Sequence, residues 1–184
     1  MKRSIPFAAA ALAALFLSTP LAAELQKGAR APQFATQGAM AGKVFAFNLR
    51  AALRKGPVVL YFYPKSFTQG CTLEAHAFAE SMDRFHAAGA TVIGLSADDL
   101  ATQKKFSTEA CRNTFPVGVA TPAIVKAYEV ALKREDLPAG LASRTSYVIG
   151  QDGTIKLVYS NMDYRDHVKL TLEAVQALKA NKHR

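Results

Sequence analysis

Two cysteines, Cys71 and Cys111, are the residues of this sequence best suited to chemistry. A cysteine attacks other groups as its thiolate, and a helix N-terminus favours that form because its free N–H groups carry partial positive charge. Cys71 lies where a buried strand, ended by Pro64, gives way to a helix. This pattern favours a reactive thiol at Cys71. The count of two cysteines equally allows a structural disulfide that closes a long loop.

Pro64, Thr68 and Arg144 are further candidates, although each has an ordinary structural explanation when taken alone. A proline after a strand commonly ends it, and a threonine before a helix commonly caps it. A lone arginine is commonly a solvated or paired charge. Their functional interpretation depends on their occurring together around a cysteine at a helix start.

The first 23 residues are typical of a secretory signal peptide. A basic head, Met1-Lys2-Arg3, precedes an uncharged stretch over residues 4–23 that ends in small residues. We expect cleavage near Ala23, leaving residues 24–184 as one exported or periplasmic domain with no stable membrane association. The alternative is a retained anchor, because 20 uncharged residues could just span a bilayer.

The length of 184 residues suits a single domain, and the formal net charge is +9. The basic residues are scattered, without a dense Lys/Arg block or an RNA-binding aromatic motif. We therefore expect a solvated basic surface and no nucleic-acid partner. The four histidines lack metal-ligand spacing, and no Gly-rich phosphate loop or dinucleotide motif occurs. No metal and no cofactor is implied.

Strands alternate with helices along the chain, which predicts an α/β fold with a mixed sheet. After a turn-rich stretch over residues 28–42, the predicted strands cover residues 43–49, 58–63, 90–95, 146–149 and 154–159. One helix is predicted from about Cys71 to Gly89, burying Phe78, Met82 and Phe85. Ser96 and Asp99 suggest a capping box for a helix reaching about residue 110. Later helices are predicted around residues 122–128 and from about residue 163, the latter burying Val168, Leu172, Val175 and Leu178.

The spacing Pro64-x-x-x-Thr68-x-x-Cys71 matches the peroxiredoxin active-site motif. The surrounding segments resemble the bacterioferritin-comigratory (Q-type) subfamily in order: VVLYFYPKSFTQGCT, AGATVIGLSADD, KKF and SRTSYVIGQDGTI. The likeness covers residues 25–179. It implies a thioredoxin-like fold, with a mixed β-sheet flanked by helices, and a thiol-dependent peroxidase that reduces hydrogen peroxide and organic hydroperoxides.

The resemblance also implies a role for each candidate. The Cys71 thiolate would attack the terminal peroxide oxygen and become a sulfenic acid. Thr68 would hydrogen-bond both the thiolate and the incoming oxygen. Arg144 would favour the thiolate and stabilise charge on the O–O bond. Pro64 would wall the pocket. Glu74 matches a position that can orient charged groups, but it could equally be a first-turn helix acid.

The second cysteine leaves two catalytic cycles open. Many subfamily members carry a resolving cysteine five residues after the first, where this chain has His76. Cys111 is the alternative resolving residue, and a disulfide with Cys71 would require the helix start to unwind. The polar surroundings of Cys111 predict a more exposed thiol than a typical structural one. Otherwise an external thiol resolves Cys71 directly, and Cys111 is a bystander.

Two further functions remain open: a thiol–disulfide oxidoreductase and a disulfide-stapled binding module without activity. The first generally uses C-x-x-C, and Thr68 occupies the place of its first cysteine. Departures from the subfamily at Ser66, Ala120-Thr121-Pro122 and Gly150 concern loops and partner choice. As partners we expect a hydroperoxide and a periplasmic thioredoxin-like or other thiol reductant, and the resemblance favours a monomer.

Overall fold

The computed structural model describes residues 25–182, which form a sheet of seven strands with six helices packed on it. The predicted signal peptide of residues 1–23 lies outside the described residues. Among residues 25–182, no helix is both long and apolar enough to cross a membrane.

Seven strands and six helices follow one another along the described chain. The strands are β1 (Ala35–Met40), β2 (Lys43–Asn48), β3 (Val58–Phe62), β4 (Thr91–Ser96), β5 (Val117–Val119), β6 (Thr145–Ile149) and β7 (Ile155–Ser160). The helices are α1 (Leu49–Leu53), α2 (Gln69–Glu80), α3 (Met82–Ala87), α4 (Leu100–Glu109), α5 (Pro122–Ala127) and α6 (His167–Lys182). The strand order is β2-β1-β5-β4-β3-β6-β7.

The sheet is mixed, as predicted, with β3 near its centre. Strand β4 runs parallel to both β3 and β5, whereas β6 pairs antiparallel with β3. Every residue of β3 is fully buried, because helices cover both faces. Val59 and Tyr61 enter the apolar cluster beneath α2, α3, α4 and α6. Leu60 enters the opposite cluster, beneath α1 and α5.

The connection from β3 to α2 carries the chain onto one face of the sheet. Pro64 ends the strand, and Phe67 takes a left-handed backbone with φ +64° just before α2 begins. The predicted helix over residues 71–89 is two helices, since the backbone leaves helical geometry at Ser81 (ψ 0°). Phe78 and Phe85 are nevertheless buried as predicted.

Several predicted boundaries were wrong, and two strands were missed. Leu49 begins α1 instead of ending β2, because the Asn48 side chain accepts a hydrogen bond from the Ala51 N–H at 2.9 Å. Asp99, not Ser96, caps α4 by accepting from the Thr102 N–H at 2.8 Å. Strands β1 and β5 lack the β-branched runs that predict strands. Strand β1 is held by pairing with β2 and β5, and β5 by pairing with β1 and β4.

Candidate active site

Cys71 is the third residue of α2, on the face that packs against the sheet, and only 2% of its surface is exposed. The first-turn N–H groups of α2 have no carbonyl one turn earlier to bond, so they leave partial positive charge around this thiol. Arg144 adds a full positive charge, because its Nη2 donates to the Cys71 Sγ at 3.3 Å. Both features place positive charge beside the sulfur.

Arg144 reaches this position from the residue before β6, whose strand lies beside β3. The guanidinium is buried and held by three groups. Its Nε donates to the Met162 carbonyl at 3.0 Å, its Nη1 forms an ion pair with Glu74, and its Nη2 contacts Cys71. The planar fork of arginine suits this arrangement, since three directions are satisfied at once. The sequence-predicted pair Cys71 and Arg144 is thus brought together.

Thr68 and Pro64 lie in the turn that leads into α2. Thr68 is the N-cap residue, but its hydroxyl donates to the Lys65 carbonyl at 2.9 Å instead of capping the helix. One hydroxyl proton cannot also be donated to Cys71, so the predicted bond from Thr68 to the thiolate is not present in this state. Its oxygen can still accept a hydrogen bond from an O–H group. Pro64 is half-buried at the end of β3.

Glu74 and His167 form a second, fully buried layer behind Arg144. Burial raises the pKa of Glu74 to about 8, even though Arg144 acts in the opposite direction. Burial also lowers the pKa of His167 to about 4. The sequence left Glu74 undecided between an orienting group and a helix acid, and the ion pair shows that it orients Arg144. His167 was missed, because no local pattern places the start of α6 beside α2.

Cys111 corrects the prediction of an exposed thiol. It is fully buried in the same apolar cluster as Cys71, and both cysteines are free thiols. Its backbone N–H donates to the Phe106 carbonyl at 3.0 Å, which tucks the end of α4 against the sheet. The polar neighbours that suggested exposure point elsewhere, because Arg112 and Asn113 take left-handed backbones with φ +51° and +61°. Burial raises the pKa of the Cys111 thiol well above its usual range.

Fold and site together define a thiol-dependent class of protein. Its reactive cysteine lies at the start of a helix and contacts a buried arginine. The described residues contain no group of three or more His, Cys, Asp or Glu side chains that could hold a metal ion.

Comparison with known proteins agrees with this class. The sequence profile of the AhpC/TSA family matches residues 27–158. The chloroplastic peroxiredoxin Q of Gentiana triflora is 36% identical over 162 residues, covering 84% of this chain and 69% of that protein. Its counterpart in Suaeda salsa is 34% identical over 160 residues, covering 86% and 71%.

Solved structures show the same likeness. Peroxidoxin BcpB from Mycobacterium tuberculosis superimposes with a TM-score of 0.72 at 28% identity, covering 84% of this chain and 98% of that one. Peroxiredoxin Q from Xanthomonas campestris gives a TM-score of 0.68 at 25% identity, covering 78% and 90%. The chain therefore belongs to the AhpC/TSA family of peroxiredoxins. It is a thiol peroxidase, an oxidoreductase with the predicted thioredoxin-like fold, which sets aside the binding module without activity.

Proposed function

We propose that Cys71 is the peroxidatic residue of this enzyme and reduces hydrogen peroxide and organic hydroperoxides. The observation that carries the proposal is the 3.3 Å contact of Arg144 Nη2 with the Cys71 Sγ at the start of α2. The thiolate attacks the terminal oxygen of ROOH, the O–O bond breaks, and the sulfur becomes a sulfenic acid. The departing RO⁻ takes up a proton and leaves as water or an alcohol.

The surrounding groups stabilise the charge that moves from sulfur to oxygen in this step. Arg144 faces the sulfur with a fixed charge that needs no reorganisation during the reaction. Thr68 accepts a hydrogen bond from the peroxide O–H while its own O–H continues to donate to the Lys65 carbonyl. First-turn N–H groups of α2 supply further donors. Pro64 closes one side of the pocket and limits the entry of water.

Cys111 resolves the sulfenic acid by forming a disulfide with Cys71 and releasing water. Both sulfurs belong to one apolar cluster, which supports this pairing. The buried, protonated state of Cys111 means that both the start of α2 and the end of α4 must open before sulfur meets sulfur. An external dithiol then reduces the disulfide.

A one-cysteine cycle is the second candidate, and the complete burial of Cys111 favours it. In that cycle an external thiol attacks the Cys71 sulfenic acid directly, and a second thiol releases the mixed disulfide. Cys111 would then have only a packing role.

The first experiment mixes reduced residues 24–184 with one equivalent of hydrogen peroxide and follows free thiols and intact mass. Wild type should lose two thiols without gaining oxygen, and Cys111→Ser should accumulate a sulfenic acid on Cys71. Cys71→Ser is the matched control and should keep its remaining thiol. If Cys111→Ser turns over with a small dithiol as fast as wild type, the one-cysteine cycle is correct. Thiols that react no faster than free cysteine would exclude Cys71 as the peroxidatic residue.

We place the enzyme outside the cytoplasm, with its leader cleaved near Ala23, a thioredoxin-like reductant as partner and a monomeric state. The basic head and the uncharged stretch of residues 1–23 support export and cleavage. Full-length protein expressed in a Gram-negative host should appear in the periplasmic fraction with Glu24 as its first residue. Protein that stays in the cytosol with Met1 would contradict export. Light scattering on the mature form tests the monomer.

A further inference from the structure

The buried carboxylate of Glu74 is only half satisfied. One oxygen pairs with Arg144, but Oε1 has no hydrogen-bond partner among the described residues. The side chain has no exposed surface. A buried ionised oxygen without a donor is strongly unfavourable, so such a group requires an explanation.

The buried side chain of His167 lies beside that oxygen. Its Nδ1 lies 3.8 Å from Glu74 Oε1 and 2.8 Å from the Ser146 hydroxyl. Its Nε2 lies 2.9 Å from the Asn161 carbonyl, which can only accept, so Nε2 carries a proton. In a neutral imidazole, Nδ1 then bears a lone pair, which accepts a hydrogen bond from the Ser146 hydroxyl. An ionised Glu74 beside a neutral His167 therefore faces an acceptor and leaves Oε1 without a donor, and one additional proton would remove that deficit.

The charge of the whole site changes when Cys71 ionises. With a Cys71 thiol, Arg144 and Glu74 balance each other. With a thiolate, the buried group carries one excess negative charge. The same additional proton that satisfies Glu74 Oε1 also restores neutrality. We propose that Glu74 and His167 hold one proton between them, taken up as Cys71 becomes a thiolate and released when the sulfur loses its charge.

This inference rests on the proposed role of Cys71 and makes His167 a positioning residue, since it acts on the sulfur through Glu74 and Arg144. The step is a proton transfer: the S–H bond of Cys71 breaks, the sulfur keeps the electron pair, and an O–H or N–H bond forms in the pair. The raised pKa of Glu74 and the lowered pKa of His167 indicate that the proton resides mainly on the carboxyl group.

Other charged groups also face His167, and the test must allow for them. From α2, the residue before β6, β7 and the segment before α6 these are Glu74, Arg144, Tyr159, Asp163 and Asp166. Asp163 is ion-paired with the exposed Arg165 at the surface, and Asp166 is exposed. Only Glu74 is both buried and short of a donor, which singles it out as the partner.

The pH profile of Cys71 alkylation by iodoacetamide tests the pair in a Cys111→Ser background, where Cys71 is the sole thiol. In His167→Asn the amide can donate to Glu74 Oε1 but holds no extra proton, so Glu74 stays ionised. Below the midpoint of the profile, alkylation should slow about tenfold, equivalent to one pH unit. Adding Glu74→Gln removes the charge and should restore the wild-type midpoint. His76→Asn, a histidine on the same helix, should leave the profile unchanged.

A second measurement on the unsubstituted pair covers the possibility that a variant fails to fold. One pH unit above the midpoint, alkylation of the Cys111→Ser protein should release about one proton per chain. The infrared band of a protonated carboxyl group should disappear at the same time, and both signals should be missing in Glu74→Gln. An unchanged carboxyl band with no proton release overturns the inference, as does a wild-type midpoint in folded His167→Asn.

Failure of the proposed function gives a different result. If Cys71 is not peroxidatic, the reduced protein does not consume hydrogen peroxide, whatever the alkylation profiles show. If only the present inference is wrong, peroxide consumption is normal and the His167→Asn profile matches wild type.

Discussion

At the residue scale, the three separate contacts of Arg144 matter more than its charge alone. Arg144→Lys keeps a positive charge but offers one nitrogen where the guanidinium reaches Met162, Glu74 and Cys71. We expect the second-order rate constant with hydrogen peroxide to fall about a hundredfold, because a preorganised donor at the reacting atoms is lost. Stopped-flow thiol oxidation measures it. A Lys variant within a few-fold of wild type would show that charge alone suffices.

Two tyrosines on β3 and at its end allow a matched comparison of buried hydroxyl groups. Among the described residues, the Tyr61 hydroxyl has no hydrogen-bond partner, and its ring stacks on Phe78 with centroids 4.4 Å apart. The Tyr63 hydroxyl donates to Gln103 Oε1 at 2.9 Å. Removing an unsatisfied hydroxyl is neutral or favourable, whereas removing a paired one leaves its partner unsatisfied.

Tyr61→Phe should therefore raise the free energy of unfolding by about 1 kcal/mol, and Tyr63→Phe should lower it by about 1–3 kcal/mol. Urea denaturation of the reduced proteins checks both values. Equal losses at the two positions would mean that the Tyr61 hydroxyl has a partner that matters for stability.

At the element scale, the proposed disulfide requires two separate openings. In the reduced protein the Thr72 N–H bonds to the Thr68 carbonyl at 2.9 Å in the first turn of α2, and the Thr114 N–H bonds to the Cys111 carbonyl at 3.0 Å. Both bonds lie beside a residue with left-handed backbone, Phe67 or Arg112, which is unfavourable for these side chains. Opening of either segment would relieve this unfavourable backbone, which favours release at both places.

Hydrogen exchange should show this directly. After one equivalent of hydrogen peroxide, amides at the start of α2 and over residues 111–116 should exchange about tenfold faster or more, while α6 stays protected. Cys111→Ser treated identically should keep the 111–116 segment protected. Faster exchange in α2 alone, with Cys111 unmoved, would support the one-cysteine cycle.

Much of the element pattern was predictable from sequence, and the exceptions share a physical cause. Strand β3 was identified because a β-branched and aromatic run reports burial on both faces. Strand β1 and the three-residue β5 were missed because their strand structure depends on pairing with β2 and β4 as well as with each other. The burial of Cys111 was also mispredicted, because it depends on tertiary contacts. The polarity of the neighbouring residues does not reveal which way the chain turns after α4. The partnership of Glu74 and His167 depends on contacts between distant elements.

At the scale of the whole molecule, the same two residues shape the response of the fold to pH. Glu74 has its pKa raised from 4.5 to about 8, so its contribution to stability is complete below pH 4.5 and is lost as pH rises towards 8. His167 has its pKa lowered from 6.5 to about 4, so its contribution is complete above pH 6.5 and is lost as pH falls towards 4. Between pH 4.5 and 6.5 the two slopes oppose each other.

Comparison of variants isolates each slope, because the other titrating groups are shared. Relative to wild type, Glu74→Gln lacks the Glu74 contribution, so its relative stability should fall as the pH drops from 8 towards 4.5. The loss should reach up to about 5 kcal/mol by the shift of Glu74. His167→Asn should show the opposite trend and gain relative stability on acidification. Thermal or urea unfolding of the reduced proteins at each pH measures the differences. Parallel curves for all three proteins would show that neither group changes its protonation on unfolding. The buried pair would then contribute nothing to the pH dependence of the free energy of unfolding.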